Sequence, residues 1–543
     1  MINDNPADYI QRLLAGCPVK EPDPAEAPNN IGDPDYNDVL AALYEAYQEG
    51  GQRVANRAWA AVCNVDPAMR DLLPSAENFY PQPIIPTPEL FARLDRYETN
   101  ESGQGEAFSD LFYHRLRYLP GVGWFIWTGY RWQPDEREAI VQYAIMAART
   151  RKAAVQARKV ETDEQEKARK KAVGFAENAA NYRTIRNSII IGKTVPDLII
   201  SHKEFDRQSH LLGVKNGVVD LTTGQHLEAR QDQYISHSTN VPYFPDAQAP
   251  RWEQFISEIF GGKADLIAYI QRAIGYSLTG DISEHCFFLC YGIGANGKST
   301  LLNILGEVAG DYAANTAFNT LEHGRQSSTG QELVQLRGRR VVLSSETNDG
   351  SRLNEARIKA ITGGDKITGR YLYARTGISF VPTFKIWLAT NHKPTIKGND
   401  EGIWRRVRLI PFLESFTKDN CDRHLEAKLR QELPGILAWA VRGAMAWYRQ
   451  GLGEPQDVVD ATSAYRDESD TFGLFLSENT IQHEIASVQS GTLYTAYQRW
   501  TEANGLGTLS SVKFARAMET RGFEKKRTSA YKIWQGIGLL ADD

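Results

Sequence analysis

Gly292-Ile-Gly-Ala-Asn-Gly-Lys-Ser299 fits the phosphate-binding pattern G-x-x-x-x-G-K-[S/T]. His285-Cys-Phe-Phe-Leu-Cys-Tyr291 leads into it and predicts a buried strand, and Thr300-Leu-Leu-Asn-Ile-Leu305 leads out with helical apolar spacing. Strand, glycine loop and helix in that order make a nucleotide-phosphate cradle. Gly292, Gly294 and Gly297 let the backbone curl so that successive N–H groups face one anion. The helix adds its positive end. Lys298 can reach the β- and γ-phosphates, and the Ser299 hydroxyl can bind Mg²⁺. The predicted ATP-contacting run is Gly292, Ile293, Gly294, Ala295, Asn296, Gly297, Lys298, Ser299 and Thr300. A chance match is expected roughly once in fifty chains of this length at average composition, and the flanking strand and helix make chance a poorer account still.

The 543 residues suffice for three or four domains, and 42% hydrophobic with 24% charged residues is ordinary for a soluble protein. No apolar run approaches the roughly 20 residues that span a bilayer, and Met1-Ile-Asn-Asp-Asn-Pro6 lacks a secretory signal's basic start. A cytoplasmic protein without membrane partners, in a prokaryotic host cell, is expected. Cys17, Cys63, Cys286, Cys290 and Cys421 show no zinc spacing and no disulfide framework. Cys286 and Cys290 lie in the predicted strand and should pack as small apolar residues. A net charge of −5 requires any nucleic-acid site to be a local basic patch.

Residues 1–100 hold sixteen Asp/Glu against seven Lys/Arg and read as an acidic helical module with Pro-rich linkers. Residues 101–250 form a mixed α+β and helical unit ahead of the nucleotide core. Within it, Leu116 to Trp132 predicts strands broken by Gly turns and crowded with aromatics, which either stack on bases or, more commonly, fill a small sheet's core. Residues 135–190 predict long charged helices whose basic excess reads as a solvated face, and Asn216 to Gly224 predicts a β-hairpin element. Residues 251–450 hold the nucleotide core and its flanking helices, 451–480 read as a polar linker, and 481–543 as a last small domain.

Hydrolysis needs more than a phosphate loop. Arg339-Arg-Val-Val-Leu-Ser-Ser-Glu346 is a strand ending in a carboxylate, and Glu346 is the candidate general base. Ser345 stands where many such ATPases carry a metal-holding Asp, so Mg²⁺ would rest on Ser299 and the phosphates. Thr383-Phe-Lys-Ile-Trp-Leu-Ala-Thr-Asn391 is another strand, ending in an amide that can bond both the lytic water and the γ-phosphate. Arg405 and Arg406 precede a further strand. Either is surface charge or, in an oligomer, reaches a neighbour's γ-phosphate.

The ordered set of phosphate loop, strand with Glu346, Ile361 to Arg370, Ala389-Thr-Asn391 and Ile403-Trp-Arg-Arg406 resembles the superfamily 3 helicases, AAA+-type ring ATPases of viruses, phages and plasmids. More narrowly it is similar to the phage and plasmid primase–helicase branch related to the poxvirus replication ATPase, from about residue 105 onward. The resemblance implies an α/β fold: an AAA+-type P-loop core, a preceding α+β and helical domain and a C-terminal winged-helix-like domain. It implies a homo-oligomer, a hexameric ring, with ATP between subunits, DNA through the pore, and Arg405 or Arg406 contributed in trans. It implies 3′ to 5′ travel and a DNA-gripping hairpin from about Ile367 to Phe384, with Lys366, Arg370 and Arg375 as candidate contacts.

Gly491 to Trp500 predicts a helix with an aromatic stripe. Ser510 caps a further amphipathic helix, and Gly522 to Trp534 predicts a two-strand wing. Residues 510–532 hold seven Lys/Arg against two Asp/Glu, which favours DNA over a protein-docking role. Lys513, Arg516, Lys525, Lys526 and Arg527 are the candidate contacts. The expected activity is ATP-dependent DNA unwinding for the replication of a mobile element. The alternative is an ATP-switched DNA-binding initiator or regulator that never unwinds. A primase, if needed, would be a separate partner, because the first 100 residues offer no pair of strand-borne metal carboxylates.

Overall fold

A computed structural model describes residues 80–81, 84, 87–324, 330–345, 351–370, 377–396, 401–417, 422–528 and 531–540. Residues 1–79 of the acidic N-terminal module, Glu346 and Arg375 lie outside the described residues. Helix α1 (Pro88–Asp95) starts where the Thr87 hydroxyl accepts from the Leu90 N–H, and α2 (Glu101–Phe112) where the Asn100 side chain accepts from that of Gly103. Strands β1 (Leu116–Leu119), β2 (Gly123–Trp127) and β3 (Trp132–Pro134) form an antiparallel meander. Its Trp124, Phe125, Trp127 and Trp132 are buried, so the aromatics are core and offer no platform for bases. Helices α3 (Ile140–Gln156), α4 (Asp163–Asn178) and α5 (Tyr182–Gly192) follow, then a second meander of β4 (Leu211–Val214), β5 (Gly217–Asp220) and β6 (Gln225–Leu227).

Ahead of the core the chain forms two helices, α6 (Pro250–Ile259) and α7 (Ala264–Leu278), parted at Gly261 and Gly262, which both take positive φ. The α/β core then runs β7 (Phe287–Tyr291), α8 (Lys298–Ala309), β8 (Ala313–Asn315), α9 (Gln331–Val334), β9 (Val341–Ser345), α10 (Glu355–Gly363), the hairpin β10 (Ile367–Gly369) and β11 (Ile378–Phe380), β12 (Lys385–Thr390), α11 (Glu401–Trp404) and β13 (Val407–Pro411). Five of its strands form a parallel sheet in the order β13-β7-β12-β9-β8. A parallel sheet is covered on both faces and its strands are apolar throughout. Here Phe288, Cys290, Trp387 and Ala389 face one core, with α7 and α8, while Phe287, Leu289, Ile386 and Leu388 face a second. Cys290 in β7 and Cys286 just before it are fully buried thiols pushed up to about 12 by burial.

Two cations anchor the sheet's lower end. Arg340, before β9, is buried and donates to Leu278 O and Leu211 O, both at 2.7 Å, with its guanidinium 4.4 Å from the Tyr312 ring. Lys385, opening β12, is buried and donates to Thr279 O and, at 3.1 Å, Asp281 O; burial holds its pKa well below the ordinary lysine value. The Gly213 N–H donates to the Tyr312 hydroxyl at 2.9 Å, and Arg131 pairs with Asp311. Beside this seam the Asp206 carboxylate, on a left-handed backbone (φ 51°), meets His237 Nδ1 at 3.0 Å and accepts from Ser236 N–H at 2.9 Å. Burial raises its pKa, but His237 and Ser236 outweigh it and the net shift is downward.

Helices α12 (Leu425–Gln431) and α13 (Leu433–Gln450) complete the core; the Glu432 carboxylate between them accepts from the Arg251 and Trp252 N–H groups at the start of α6. Residues 451–480 differ from the expected linker. Helix α14 (Gln456–Ser469) lies along β13: the Leu409 N–H donates to Thr462 Oγ1 at 3.1 Å, and buried Tyr465 meets Trp404 edge-on at 5.1 Å and bonds Pro394 O. Polar composition hid it because only its Val458 and Tyr465 are fully buried. Helix α15 (Thr471–Asn479) already belongs to the last unit, whose core joins Phe472, Phe475, Tyr497, Phe514 and Trp534. That unit continues with β14 (Thr480–Gln489), α16 (Ser490–Ala503), α17 (Ser511–Thr520), β15 (Lys525–Arg527) and β16 (Lys532–Leu539), in an antiparallel sheet ordered β14-β16-β15.

Candidate nucleotide site and its surroundings

The loop after β7 sits at the carboxyl ends of the parallel strands, where open α/β sheets bind ligands. The chain leaves β7 for the far side of the sheet and returns so that β12 and β13 flank it. Two loop glycines, Gly294 (φ 89°) and Gly297 (φ 82°), adopt left-handed backbone. Gly292 does not; it is required for closeness, since a Cβ there would meet Asn296 Nδ2 at 2.3 Å and Phe412 O at 2.4 Å. A Cβ at Gly297 would meet Ile259 Cγ2 of α6 at 2.5 Å. The loop is also tied down by Phe416 N–H donating to Ala295 O at 2.7 Å.

Lys298, 5% exposed, opens α8. Its ammonium donates to Gly292 O at 2.6 Å, Asn296 Oδ1 at 3.0 Å and Asn391 Oδ1 at 3.1 Å. All three acceptors are neutral, and burial lowers its pKa, opposed only by the Cys290 thiol. A buried ammonium whose hydrogen-bond acceptors are all uncharged is a place for an anion. The Lys298, Ser299 and Thr300 N–H groups belong to the first turn of α8, which no helix satisfies internally, and Ser299 is exposed beside them. This donor set fits a polyphosphate, with the Ser299 hydroxyl available to a divalent cation. Among the described residues no cluster of His, Cys, Asp or Glu could hold a metal by itself.

Asn391 reaches this point because β12 pairs directly with β7, Thr390 opposite Tyr291. Its turn is fastened by His392 N–H donating to Thr390 Oγ1 at 3.0 Å. Lys393 pairs with Glu468 of α14 at 2.7 Å and stands 4.9 Å from the Tyr291 ring. Nothing in the sequence signals that link, because it joins residues far apart in the chain. Ser345 ends β9 exposed, one strand further out, opposite Ala389.

The two arginines separate. Arg406 is 9% exposed and committed to the interior: Nε donates to Thr362 Oγ1 at 3.0 Å and Nη1 to Gly402 O. That removes it as a candidate for reaching another subunit. Arg405 is exposed, its carbonyl held by Arg408 Nη1 at 2.8 Å. It borders a cleft of about 280 Å³ with Arg408, Arg466, Glu401 and Glu454. Val407 pairs with Phe287 and Pro411 with Tyr291 in parallel, so Arg405 lies at the opposite end of the strands from its own phosphate loop, roughly 15–20 Å away at strand rise.

Lys366 and Arg370 are exposed at the base of the β10–β11 hairpin, where Ile367 pairs with Phe380 and Gly369 with Ile378. In the last unit Ser510 caps α17 as expected, accepting from the Lys513 N–H. Lys513, Arg516, Lys525, Lys526 and Arg527 are all exposed, and Lys525 lies 5.1 Å from the Trp534 ring.

Residues 105–261 match a family model described as D5 N terminal like, and residues 290–406 match a family of unknown function. The chain is 29% identical over 381 residues to "Putative helicase L207/L206" of Acanthamoeba polyphaga mimivirus, covering 65% of this chain and 38% of that protein. It is 27% identical over 275 residues to "Putative helicase 022R" of Frog virus 3, covering 46% and 28%. It is 24% identical over 326 residues to "Putative primase C962R" of African swine fever virus, covering 55% and 34%. The chain thus spans about a third of the length of these relatives. A solved structure titled "The A form apo structure of NrS-1 C terminal region-CTR" aligns at TM-score 0.39 and 10% identity, covering 55% of this chain and 78% of that one, too loosely to bear on function. The similarities relate the chain to primase and helicase proteins of large DNA viruses. Those relatives belong to viruses of eukaryotes and lend no support to a prokaryotic host. No helix among the described residues is long and apolar enough to cross a membrane.

Proposed function

We propose that this chain is the ATP-driven motor of a replicative DNA helicase of the superfamily 3, AAA+ type, working as a homo-oligomeric ring. The observation that carries the reading is Lys298 meeting Asn391 at the carboxyl ends of β7 and β12, with an arginine exposed at the far end of β13. On this reading Lys298 and the loop N–H groups hold the phosphates of ATP, and Ser299 holds Mg²⁺, which neutralises phosphate charge when bound. Asn391 orients the attacking water and Glu346 takes its proton. Arg405 cannot serve its own loop, so it serves a neighbour's, which makes each site half of a shared one. The β10–β11 hairpin, with Lys366 and Arg370, and the basic α17 and β15 are the proposed DNA contacts, the last unit acting as a winged helix. Primer synthesis falls to a separate primase.

A forked-duplex unwinding assay with Mg-ATP, run beside mass photometry, tests this. Strand separation by an oligomer, abolished together with ATP hydrolysis in Lys298→Ala, is expected. DNA binding without unwinding would favour the ATP-switched initiator, and ATP turnover persisting in Lys298→Ala would remove the nucleotide site itself.

A further inference from the structure

The helical region ahead of the motor carries basic charge that its fold uses only in part, through Arg169 on the Gln156 carbonyl and Lys193 over the Tyr118 ring, and that the proposed motor site does not use. From Lys167 to Lys193 there are seven Lys/Arg against one acid, Glu177, in a chain whose net charge is −5. Helix α4 concentrates the effect. Thr162 and Gln165 form a capping box, and three of the helix's four acids, Asp163, Glu164 and Glu166, crowd its first turn. Glu166 reaches the first bases beyond them, meeting Arg169 at 3.1 Å and Lys170 at 3.7 Å. Lys167, Lys170 and Lys171 stand at i, i+3 and i+4, on one face, and like charges at that spacing oppose helix formation. Buried Ala172 and Ala176 occupy the other face, so the lysines point outward, Lys170 with 76% of its side chain exposed. A face that only solvates interleaves both signs; beyond its acidic first turn this one carries lysines and no acid up to Glu177.

An independent observation lies at the next helix. Tyr182, the first residue of α5, is 79% exposed and makes no ring contact among the described residues. Arg183 beside it meets Glu101 at only 3.6 Å in an exposed pair that holds it weakly, and Arg186, one turn on, is exposed too. Lys171 is seven residues from the end of α4, and three residues join it to α5. Tyr182 therefore lies within roughly 25 Å of Lys171 and roughly 30 Å of Lys167 along the chain.

We infer that the outer face of α4 and the start of α5 bind single-stranded nucleic acid, with Lys167, Lys170 and Lys171 on successive phosphates and Tyr182 stacked on a base. Cationic tracking of the backbone with an aromatic as base platform is how sequence-tolerant single-strand sites are built. The surface deepens the nucleic-acid reading above and rests on it. It places a second hold on the strand, ahead of the motor.

Fluorescence anisotropy of a labelled oligothymidylate with the full chain, without nucleotide and over a salt series, tests it. Lys167→Gln, Lys170→Gln and Lys171→Gln together should weaken binding roughly tenfold or more and cut the log–log salt slope by about 2, at about 0.7 for each phosphate no longer neutralised. Tyr182→Leu should weaken binding about tenfold and leave the slope unchanged, because stacking releases no counterions. Both variants should keep wild-type basal ATP turnover and helix content. Unchanged affinity and slope in both variants would overturn the surface while leaving the motor reading intact. A blunt duplex competing as well as the oligothymidylate, equally in Tyr182→Leu, would overturn the single-strand assignment. A wild-type chain that binds neither would instead sink the nucleic-acid reading on which the surface rests.

Discussion

Arg405 and Arg406 are adjacent in sequence and opposite in circumstance, so truncating each should produce different failures. Arg406→Ala removes two charge-assisted hydrogen bonds, to Thr362 Oγ1 and Gly402 O, from a position 9% exposed. Hydrogen bonds to charged groups are worth about 1.5–3 kcal/mol each. The Gly402 carbonyl would be deprived of this donor, so a destabilisation of about 3 kcal/mol is a moderate expectation. In a domain of this size that lowers Tm by roughly 6–12 °C. Arg405→Ala removes an exposed side chain and should move stability by no more than about 0.5 kcal/mol. If Arg405 completes a neighbour's site, its removal should slow hydrolysis by about 10³–10⁵, or about 4–7 kcal/mol of transition-state stabilisation. Differential scanning fluorimetry and steady-state phosphate release on both variants measure the contrast. A mixing experiment then identifies the direction of supply. Equal amounts of Arg405→Ala and Lys298→Ala, each inactive alone, should together regain turnover, because about a quarter of head-to-tail interfaces pair an intact loop with an intact arginine. Arg405→Ala with wild-type turnover, or a mixture as dead as its components, would refute the shared-site reasoning.

Two further outcomes follow from the geometry. Asp206→Asn keeps a residue type that tolerates the left-handed backbone but surrenders the charge facing His237, and should cost about 1–3 kcal/mol near neutral pH. Because the folded carboxyl titrates below its ordinary value, that contribution is present above about pH 4 and fades as pH falls through the lowered folded pKa. Urea melts at neutral and acid pH should show the gap between wild type and variant closing in acid, and a gap constant with pH would contradict the assignment. Replacing Lys525, Lys526 and Arg527 together by Gln should weaken duplex binding and shallow its salt slope by up to about 2.7, at about 0.9 for each phosphate no longer neutralised. A duplex titration with an unaltered slope would take the wing off the DNA.

The parts of the fold legible in sequence are those with a strong local signature. The phosphate loop, its strand and its helix stand where the pattern puts them, and the Ser510 cap is readable for the same reason; the β10–β11 hairpin is expected only from the family resemblance. Gly292 departs from the expectation: its backbone is ordinary, and what demands glycine is Phe412 closing over it, a residue over a hundred positions away. Spacing alone leaves Arg405 and Arg406 equal, because only tertiary contact with Thr362 buries one of them. Residues 451–480 resemble a linker in composition because α14 and α15 each bury just two or three large side chains, below what periodicity can detect. The lysine face of α4 is visible as composition, but its one-sidedness emerges only once Ala172 and Ala176 fix which way the helix faces.

Arg340 bears on how such proteins can be taken apart. The two family models match separate stretches, 105–261 and 290–406, and invite the notion of two exchangeable modules. Yet the guanidinium of Arg340 in the second stretch closes on the carbonyl of Leu211 in the first, and the Tyr312 hydroxyl receives the N–H of Gly213. A chain severed between the stretches would leave a buried cation bereft of one acceptor and a tyrosine bereft of its donor. Exchange of either half for a foreign one would meet the same obstacle unless the replacement restored both contacts.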